Sequence, residues 1–289
     1  MRQCIVTGGS GFIGQHLFRR LHESGAKVTL VNDLFQDIDQ SDKLASAGPY
    51  EVFHLAGRVG VQSSWQEPVG FIETNVCGTA RVLEFCRKSN SSLRFFSSPK
   101  SFESSFQKRK VENTSHAANP YLFSKDLAEQ ACQFFAMQYD VEVLVVRLFN
   151  VYGPGQNMKN LRQGMVSIFL EMAIKNKHII VKGNTNRFRD FIFIDDVVDT
   201  FVECENNSNT FNKVYNVATG VKTNIKSLLK KIIQLFNYKI TIEIKGSTPG
   251  DQFGIYADIN SIRKDIDREP EISIDVGLKK MFTSVVKNE

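Results

Sequence analysis

Up to about residue 150 the chain alternates short runs of β-branched and aromatic residues with longer stretches whose apolar positions recur every three or four residues. This pattern predicts strands at Gln3–Thr7, Lys27–Asn32, Glu51–Ala56, Leu93–Ser97 and Glu142–Leu148, and helices at Phe12–Ser24, Pro68–Lys88 and Tyr121–Tyr139. Strands spaced by helices argue for βαβ units and a parallel sheet. Gly25 stands where a helix C-cap is wanted, just before the second strand. Residues 33–50 carry Asp37-Ile38-Asp39 and end in Gly48-Pro49. They leave room for one short helix, so the second crossover is trimmed.

Beyond that point the pattern loosens. Tyr152-Gly153-Pro154-Gly155 leads to a helix at about 162–176, a strand at His178–Lys182, and Phe191–Ile194 running into a helix opened by Asp195-Asp196. Further elements are expected at Lys213–Val217, Asn224–Phe236 and Lys239–Ile244, with a last helix from about Asp258. The expected fold class is α/β: a Rossmann-type doubly wound parallel sheet with a smaller C-terminal α/β lobe. The division is expected as a dinucleotide-binding domain over 1–150, rejoined by parts of 178–218, and a discontinuous substrate lobe over 151–289.

Composition narrows the class. With 289 residues, 42% of them hydrophobic, the chain can bury one large core or a core with a lobe beside it. No apolar run approaches the roughly 20 residues that span a bilayer, and Met1–Thr7 reads as a strand entering a glycine loop, not as a signal peptide. A cytoplasmic protein without membrane or nucleic-acid partners is expected. The net charge of +5 is scattered; its densest cluster, Lys108-Arg109-Lys110, reads as a solvated loop. Cys4, Cys77, Cys86, Cys132 and Cys204 show no metal-ligand spacing, so buried reduced thiols are expected and no metal site.

Candidate chemistry begins at residue 7. Thr7-Gly8-Gly9-Ser10-Gly11-Phe12-Ile13-Gly14 follows a predicted strand and opens a predicted helix. Gly8 permits the tight turn, Gly11 lets backbone approach a pyrophosphate, and Gly14 allows close helix–strand packing. The helix N-terminus then offers free N–H groups to phosphate. At the end of the second strand an acid accepting ribose hydroxyls would favour NAD; the order here is Asn32-Asp33, which favours NAD modestly and leaves NADP open. Tyr121 and Lys125 stand at i and i+4, on one helix face behind Pro120. A nearby ammonium lowers a tyrosine's pKa and suits it to shuttle a proton beside a hydride acceptor. Ser97-Ser98 closes a strand about two dozen residues earlier, where a hydroxyl can share the substrate proton with Tyr121. Each feature alone is common on surfaces and in turns; the glycine loop, the serine and the Tyr/Lys pair in this order are far more specific together.

With these residues in hand, the chain resembles the extended short-chain dehydrogenase/reductase group, in particular the NAD-dependent epimerase/dehydratase family acting on nucleotide sugars. The matching stretches are TGGSGFIG (7–14), HLAG (54–57), TNVCGTARVLE (74–84), the serine pair (97–98), YLFSK (121–125), RLFNVYGPGQ (147–156), RDFIFIDDV (189–197), VYNVATG (214–220) and PGD (249–251). The resemblance implies that Gly8, Gly11 and Gly14 hold the pyrophosphate, with Phe12 and Ile13 starting the helix. It implies that Leu55, Ala56 and Gly57 line the cofactor, and that Asn75 and Lys125 approach its nicotinamide side. Tyr121 is then the base, Lys125 its pKa tuner and ribose anchor, and Ser98 the hydroxyl partner. Asn150 would face a substrate diphosphate, Arg189 pair with a phosphate, and Asp251 lie near the nucleoside. The plain alternative for Arg189 is a salt bridge to Asp190 or Asp195. A homodimer through a four-helix bundle, using helices at about 68–88 and 121–139, is also implied, and Ser64, Lys100, Met165 and Ser167 are guesses for sugar-selecting positions from their place near motifs.

Departures from the family pattern restrict the reaction. The acid at the end of the second strand is replaced by Asn32, and Ser101-Phe102-Glu103 replaces the usual Val-Tyr-Gly. The Asp-Glu pair that dehydratases carry after the hydroxyl is Pro99-Lys100 here, and Thr248 stands where an arginine often precedes Pro-Gly-Asp. Without those acids 4,6-dehydration lacks its proton donor and acceptor. The leading expectation is a nucleotide-sugar 4-epimerase working through a 4-keto sugar. Its competitors are an NAD(P)H-dependent 4-keto-sugar reductase, motivated by Asn32 and the trimmed crossover, and a non-catalytic dinucleotide-binding protein.

Overall fold

A computed structural model describes residues 2–31, 42–99, 119–160, 164–205, 207–246 and 253–287. In chain order the elements of the first part are β1 (Gln3–Thr7), α1 (Phe12–Glu23), β2 (Lys27–Val31), α2 (Asp42–Ser46), β3 (Glu51–His54), α3 (Val61–Gln66) and α4 (Pro68–Ile72). A π turn (Glu73–Cys77), α5 (Gly78–Ser89), β4 (Ser92–Ser97), α6 (Pro120–Tyr139) and β5 (Val143–Leu148) follow.

β-branched and aromatic residues fill these strands because both sheet faces are covered. β5, Val-Leu-Val-Val-Arg-Leu, is nearly continuous apolar sequence and nearly continuously buried, as a central parallel strand must be. The six-stranded sheet runs β10-β5-β4-β3-β1-β2, with β10 at Lys213–Val217. The pairings from β2 through β5 are parallel. α1 packs on β1 and β2, whereas α5 and α6 pack on β3, β4 and β5. Between sheet and helices lies a core of Val52, Leu93, Phe95, Val143 and Val145 against Val82, Leu83, Phe85, Ala128 and Cys132. After β2 the chain crosses back to the other side of β1, so strand order reverses there. In open α/β sheets that reversal creates the crevice in which ligands bind, outside the carboxyl ends of the strands.

α1 ends as its sequence requires. Gly25 adopts φ +79°, and Gly25 N–H and Ala26 N–H donate to the carbonyls of His22 and Leu21. The expected helix 68–88 contains a π turn at Glu73–Cys77, which the apolar periodicity did not reveal. Strand three stops at His54, leaving Leu55 and Ala56 in the following loop.

The described residues of the second part hold β6 (Asn150–Tyr152), α7 (Met165–Asn176), β7 (His178–Val181), β8 (Phe188–Arg189), β9 (Phe191–Phe193) and α8 (Ile194–Glu205). After β10 come β11 (Thr223–Asn224), α9 (Ile225–Ile233), β12 (Thr241–Ile244), α10 (Asn260–Asp265) and α11 (Ile274–Lys287). Small strand pairs link β6 with β9, β7 with β12 and β8 with β11. The single last helix expected from Asp258 is two helices. Pro270 lacks the N–H a continuous helix needs, and the amides of Glu271 and Ile272 donate instead to the buried Asp196 carboxylate at 2.9 and 3.0 Å.

By contacts the chain forms two compact units. Of the described residues, those up to Leu148 together with Phe201–Tyr215 form one, and Phe149–Thr200 with those from Asn216 onward form the other.

Candidate active site

The glycine loop makes the tight turn its spacing predicts. Gly8 has φ +71°, and a Cβ there would lie 2.6 Å from the Ala56 amide nitrogen, so β1 and the loop after β3 meet without side chains between them. A Cβ on Gly14 would lie 2.3 Å from the Gly8 carbonyl oxygen, and one on Gly11 3.2 Å from it. Gly11 caps α1 in an extended conformation with no side-chain hydrogen bond to the first turn. The amides opening the helix at Phe12 and Ile13 thus lack a side-chain cap, the arrangement that receives an anionic group. The cradle fits a dinucleotide pyrophosphate. Leu55, Ala56 and Gly57 follow β3 at the edge of this cradle. Asn32 and Asp33 lie outside the described residues.

Asn119 accepts a hydrogen bond from Leu122 N–H at 3.0 Å and, with Pro120, sets the start of α6. This start puts Tyr121 and Lys125 on the helix face toward the sheet. Lys125 is buried, its Nζ donating to the Phe96 carbonyl at 2.6 Å and lying 4.3 Å from the centre of the Phe95 ring. Burial pulls its pKa down to about 8, while the carboxylate of Glu129 works the other way. Tyr121 is hydrogen-bonded to the Ser98 hydroxyl and meets the Phe71 ring edge-on at 6.1 Å. Burial raises the phenol above its ordinary value, and the Ser98 hydrogen bond opposes that rise. The lowering expected from the Lys125 ammonium does not outweigh burial at Tyr121.

Asn75 is drawn into the same group by the π turn. It is 1% exposed, donates to Ser124 Oγ at 2.9 Å and to the Arg58 carbonyl at 3.0 Å, and accepts from Arg58 N–H at 2.8 Å. A Cβ on Gly57 would lie 3.0 Å from Asn75 Oδ1 and 4.0 Å from Lys125 Nζ, so Gly57, Asn75 and Lys125 form one cluster. Sequence reasoning missed what joins this cluster to the glycine loop. The fully buried His54 accepts or donates to Thr7 Oγ1 at 2.7 Å and Thr79 Oγ1 at 3.0 Å, and Thr79 donates to the Asn75 carbonyl at 2.6 Å. Burial, with a smaller push from Lys125, takes the His54 pKa to about 3, so it acts as a neutral hydrogen-bonding spacer. A polar residue ending an otherwise apolar strand was the available signal. Beneath Ser98 a second set was also missed, in which Glu129 is held by Arg147 and Ser97.

In the other unit, Asn150 Nδ2 donates to the Asp190 carbonyl at 2.9 Å. Arg189 is 6% exposed, donates to the Phe188 carbonyl at 2.7 Å, and is lowered to about 10 by burial and by Arg187. The Asp190 carboxylate accepts from Thr219 N–H, Thr219 Oγ1, Gly220 N–H and Ala257 N–H, and Asp195 meets Lys280 at 3.4 Å. Asp190 thereby ties the strand carrying Arg189 to two other segments. Ser64 and Ser167 are fully buried and donate to the carbonyls of Val61 and Gly164. That local bonding serves the turns they sit in; Met165 opens α7, and Lys100 lies outside the described residues. Asp251 lies outside the described residues. Among the described residues no group of acidic, histidine or cysteine side chains is arranged to hold a metal, and no helix is long and apolar enough to cross a membrane.

Comparison with known proteins adds the context. Residues 4–218 match the family described as the NAD dependent epimerase/dehydratase family. The UDP-glucose 4-epimerase of Mycolicibacterium smegmatis is 27% identical, with 96% of each chain covered. UDP-glucuronic acid decarboxylase 1 of Arabidopsis thaliana is 24% identical over 99% of this chain and 71% of its own. Among solved structures, a UDP-glucose 4-epimerase from Thermotoga maritima with UDP-glucose superposes with a TM-score of 0.90 at 27% identity, covering 99% of both chains.

Proposed function

Because the chain belongs to the NAD dependent epimerase/dehydratase family, we propose that it is a UDP-sugar 4-epimerase that works through a 4-keto sugar. The observation that carries this reading is the Tyr121–Ser98 hydrogen bond just past β4, with Lys125 one helical turn on from Tyr121 and beside Gly57 and Asn75, in the unit that bears the glycine cradle. The 4-epimerases of M. smegmatis and T. maritima, matched over nearly their whole length, support it.

Gly8, Gly11 and Gly14 would hold the pyrophosphate of NAD against the opening of α1, with Phe12 and Ile13 supplying the first amides. Leu55, Ala56 and Gly57 would line its path toward Asn75 and Lys125, and Asn32 and Asp33 would meet its adenosine ribose. When bound, NAD supplies a hydride acceptor that can return what it takes. Tyr121 removes the proton of the sugar C4 hydroxyl, with Ser98 sharing that proton and Lys125 stabilising the negative oxygen. The same phenol returns the proton after the keto sugar has turned its other face. Asn150 and Arg189 are assigned to the substrate diphosphate, which a guanidinium fork suits, and Asp251 to the nucleoside. α6 also exposes Phe123, Phe134 and Met137 along the face away from Tyr121 and Lys125. That stripe supports a homodimer formed through α6 and the helix segment 68–88.

The test uses UDP-glucose deuterated at C4 and the purified protein with NAD. The expected result is UDP-galactose, or the C4 epimer of another UDP-sugar, with the deuterium retained. Failure to equilibrate any C4-epimeric pair of UDP-sugars overturns the reading. Accumulation of a decarboxylated pentose from a UDP-uronic acid would replace it with the chemistry of the Arabidopsis relative.

A further inference from the structure

We propose that Glu129, clamped in the core by Arg147 and Ser97, is a positioning residue that keeps the Lys125 ammonium charged and seated beside Tyr121. The proposal deepens the hydride-transfer reading and rests on it for its catalytic meaning.

The geometry is that of a buttress under the site. Glu129 and Arg147 side chains are 1% and 4% exposed. Arg147 Nη2 meets Glu129 Oε2 at 2.6 Å, and its Nε lies 3.0 and 3.2 Å from the two carboxylate oxygens. Ser97 Oγ donates to Glu129 Oε1 at 2.5 Å. Lys125 stands one helical turn before Glu129 on α6, and its Nζ donates to Phe96 O, the carbonyl next to Ser97 in the chain. The carboxylate is thus linked to the lysine by two routes, along the helix and through β4, whose last residue, Ser97, precedes Ser98.

A buried ammonium needs such a partner, since burial favours its neutral form. On its own helix Lys125 faces Tyr121, Glu129 and Cys132. From β4 it meets the Phe95 ring and Phe96 carbonyl, and from the loop and turn beside it Gly57 and Asn75. His54, from β3, is held neutral by burial, and the Cys132 thiol is raised well above its ordinary value. Glu129 is the first influence raising the Lys125 pKa, against the desolvation that brings it to about 8. Arg147 from β5 holds the Glu129 carboxylate in place through both its Nε and Nη2. An ion pair this deep costs much of its attraction in desolvation; beside a lysine that must stay charged, it has a use that an apolar pair of the same volume lacks.

The experiment follows the titration of Lys125 by NMR of protein carrying 13Cε-lysine, with Lys125→Met identifying the signal. The wild-type resonance is expected to titrate near pH 8. Glu129→Gln is expected to move the midpoint down by about one pH unit or more, and Glu129→Asp to restore part of it. The alkaline limb of the turnover profile should move with it. An unmoved midpoint in folded Glu129→Gln overturns the proposal. If that variant fails to fold because Arg147 is left unpaired, Glu129→Gln/Arg147→Met removes both charges. It is read the same way, with a downward shift expected and an unmoved midpoint again overturning the proposal. A downward shift in protein that turns over no nucleotide sugar overturns the proposed activity and leaves the role of Glu129 standing.

Discussion

Tyr121, the proposed base, shows how little of such a group's behaviour is in its own side chain. Burial raises its pKa, Ser98 lowers it, and the lysine four residues on is engaged with Phe96. A phenol so placed works only with its partners, and Tyr121→Phe is expected to cut UDP-sugar turnover by at least about 100-fold while dinucleotide binding, followed by fluorescence titration, stays intact. His54 gives a prediction about stability. Its folded pKa of about 3 lies below its ordinary 6.5, so between those values the unfolded chain holds more protons. The stability His54 confers is complete above pH 6.5 and is lost as pH falls toward 3, by up to about 1.4 kcal/mol per unit. Urea unfolding at pH 7, 6 and 5 should show this slope, and His54→Gln should flatten it. The Tyr/Lys/Ser set could be singled out in the sequence because hydride-transfer chemistry asks for those residue types at those spacings, and its Tyr121–Ser98 contact is present in the fold. His54, Thr7 and Thr79 were not, since hydrogen bonds among three separated segments leave no periodic trace.

At the scale of elements, the glycine loop ties sequence to fold most directly. Gly14 lies in the first turn of α1, where a methyl group would sit 2.3 Å from the Gly8 carbonyl oxygen. Backbone on both sides cannot give way cheaply, so Gly14→Ala is expected to destabilise the protein by about 2 kcal/mol or more and to abolish retention on an immobilised adenine-nucleotide resin. A fold that unfolds at the wild-type urea midpoint would count against it. Strand and helix positions around this loop were readable from alternation and caps, as at Gly25 and at Asn119-Pro120. The elements that escaped were those whose backbone answers to a distant partner. β6 pairs with β9 across a stretch rich in turn residues, and the last helix is divided where Glu271 and Ile272 serve Asp196.

For the whole molecule, the exposed stripe of Phe123, Phe134 and Met137 is 49%, 53% and 77% accessible on one face of α6. Single exposed apolar residues need no explanation, but a row along a twenty-residue helix is the surface on which the proposed homodimer rests. Phe134→Glu with Met137→Glu is expected to convert the protein from dimer to monomer in light scattering. A monomeric wild-type protein at micromolar concentration would remove the dimer proposal. The chain should also differ along its length in how it tolerates insertion and deletion. Loops absorb a residue easily, but the run Pro68–Ser89 does not, because its π turn already holds one residue more than an α-helix would. Upstream of that turn Phe71 meets Tyr121, and downstream Val82, Leu83 and Phe85 fill the core. Counted along the sequence, the two stretches are out of phase by about 100°, the rotation of a single residue. Deleting one residue at 73–77 would turn the bulge into ordinary α-helix with the faces of Phe71 and the core unchanged, and Asn75 would lose the turn that draws it toward Gly57 and Lys125. The extra residue of that helix, more than any one side chain on it, holds Asn75 beside Gly57 and Lys125 while the rest of the run stays in the core.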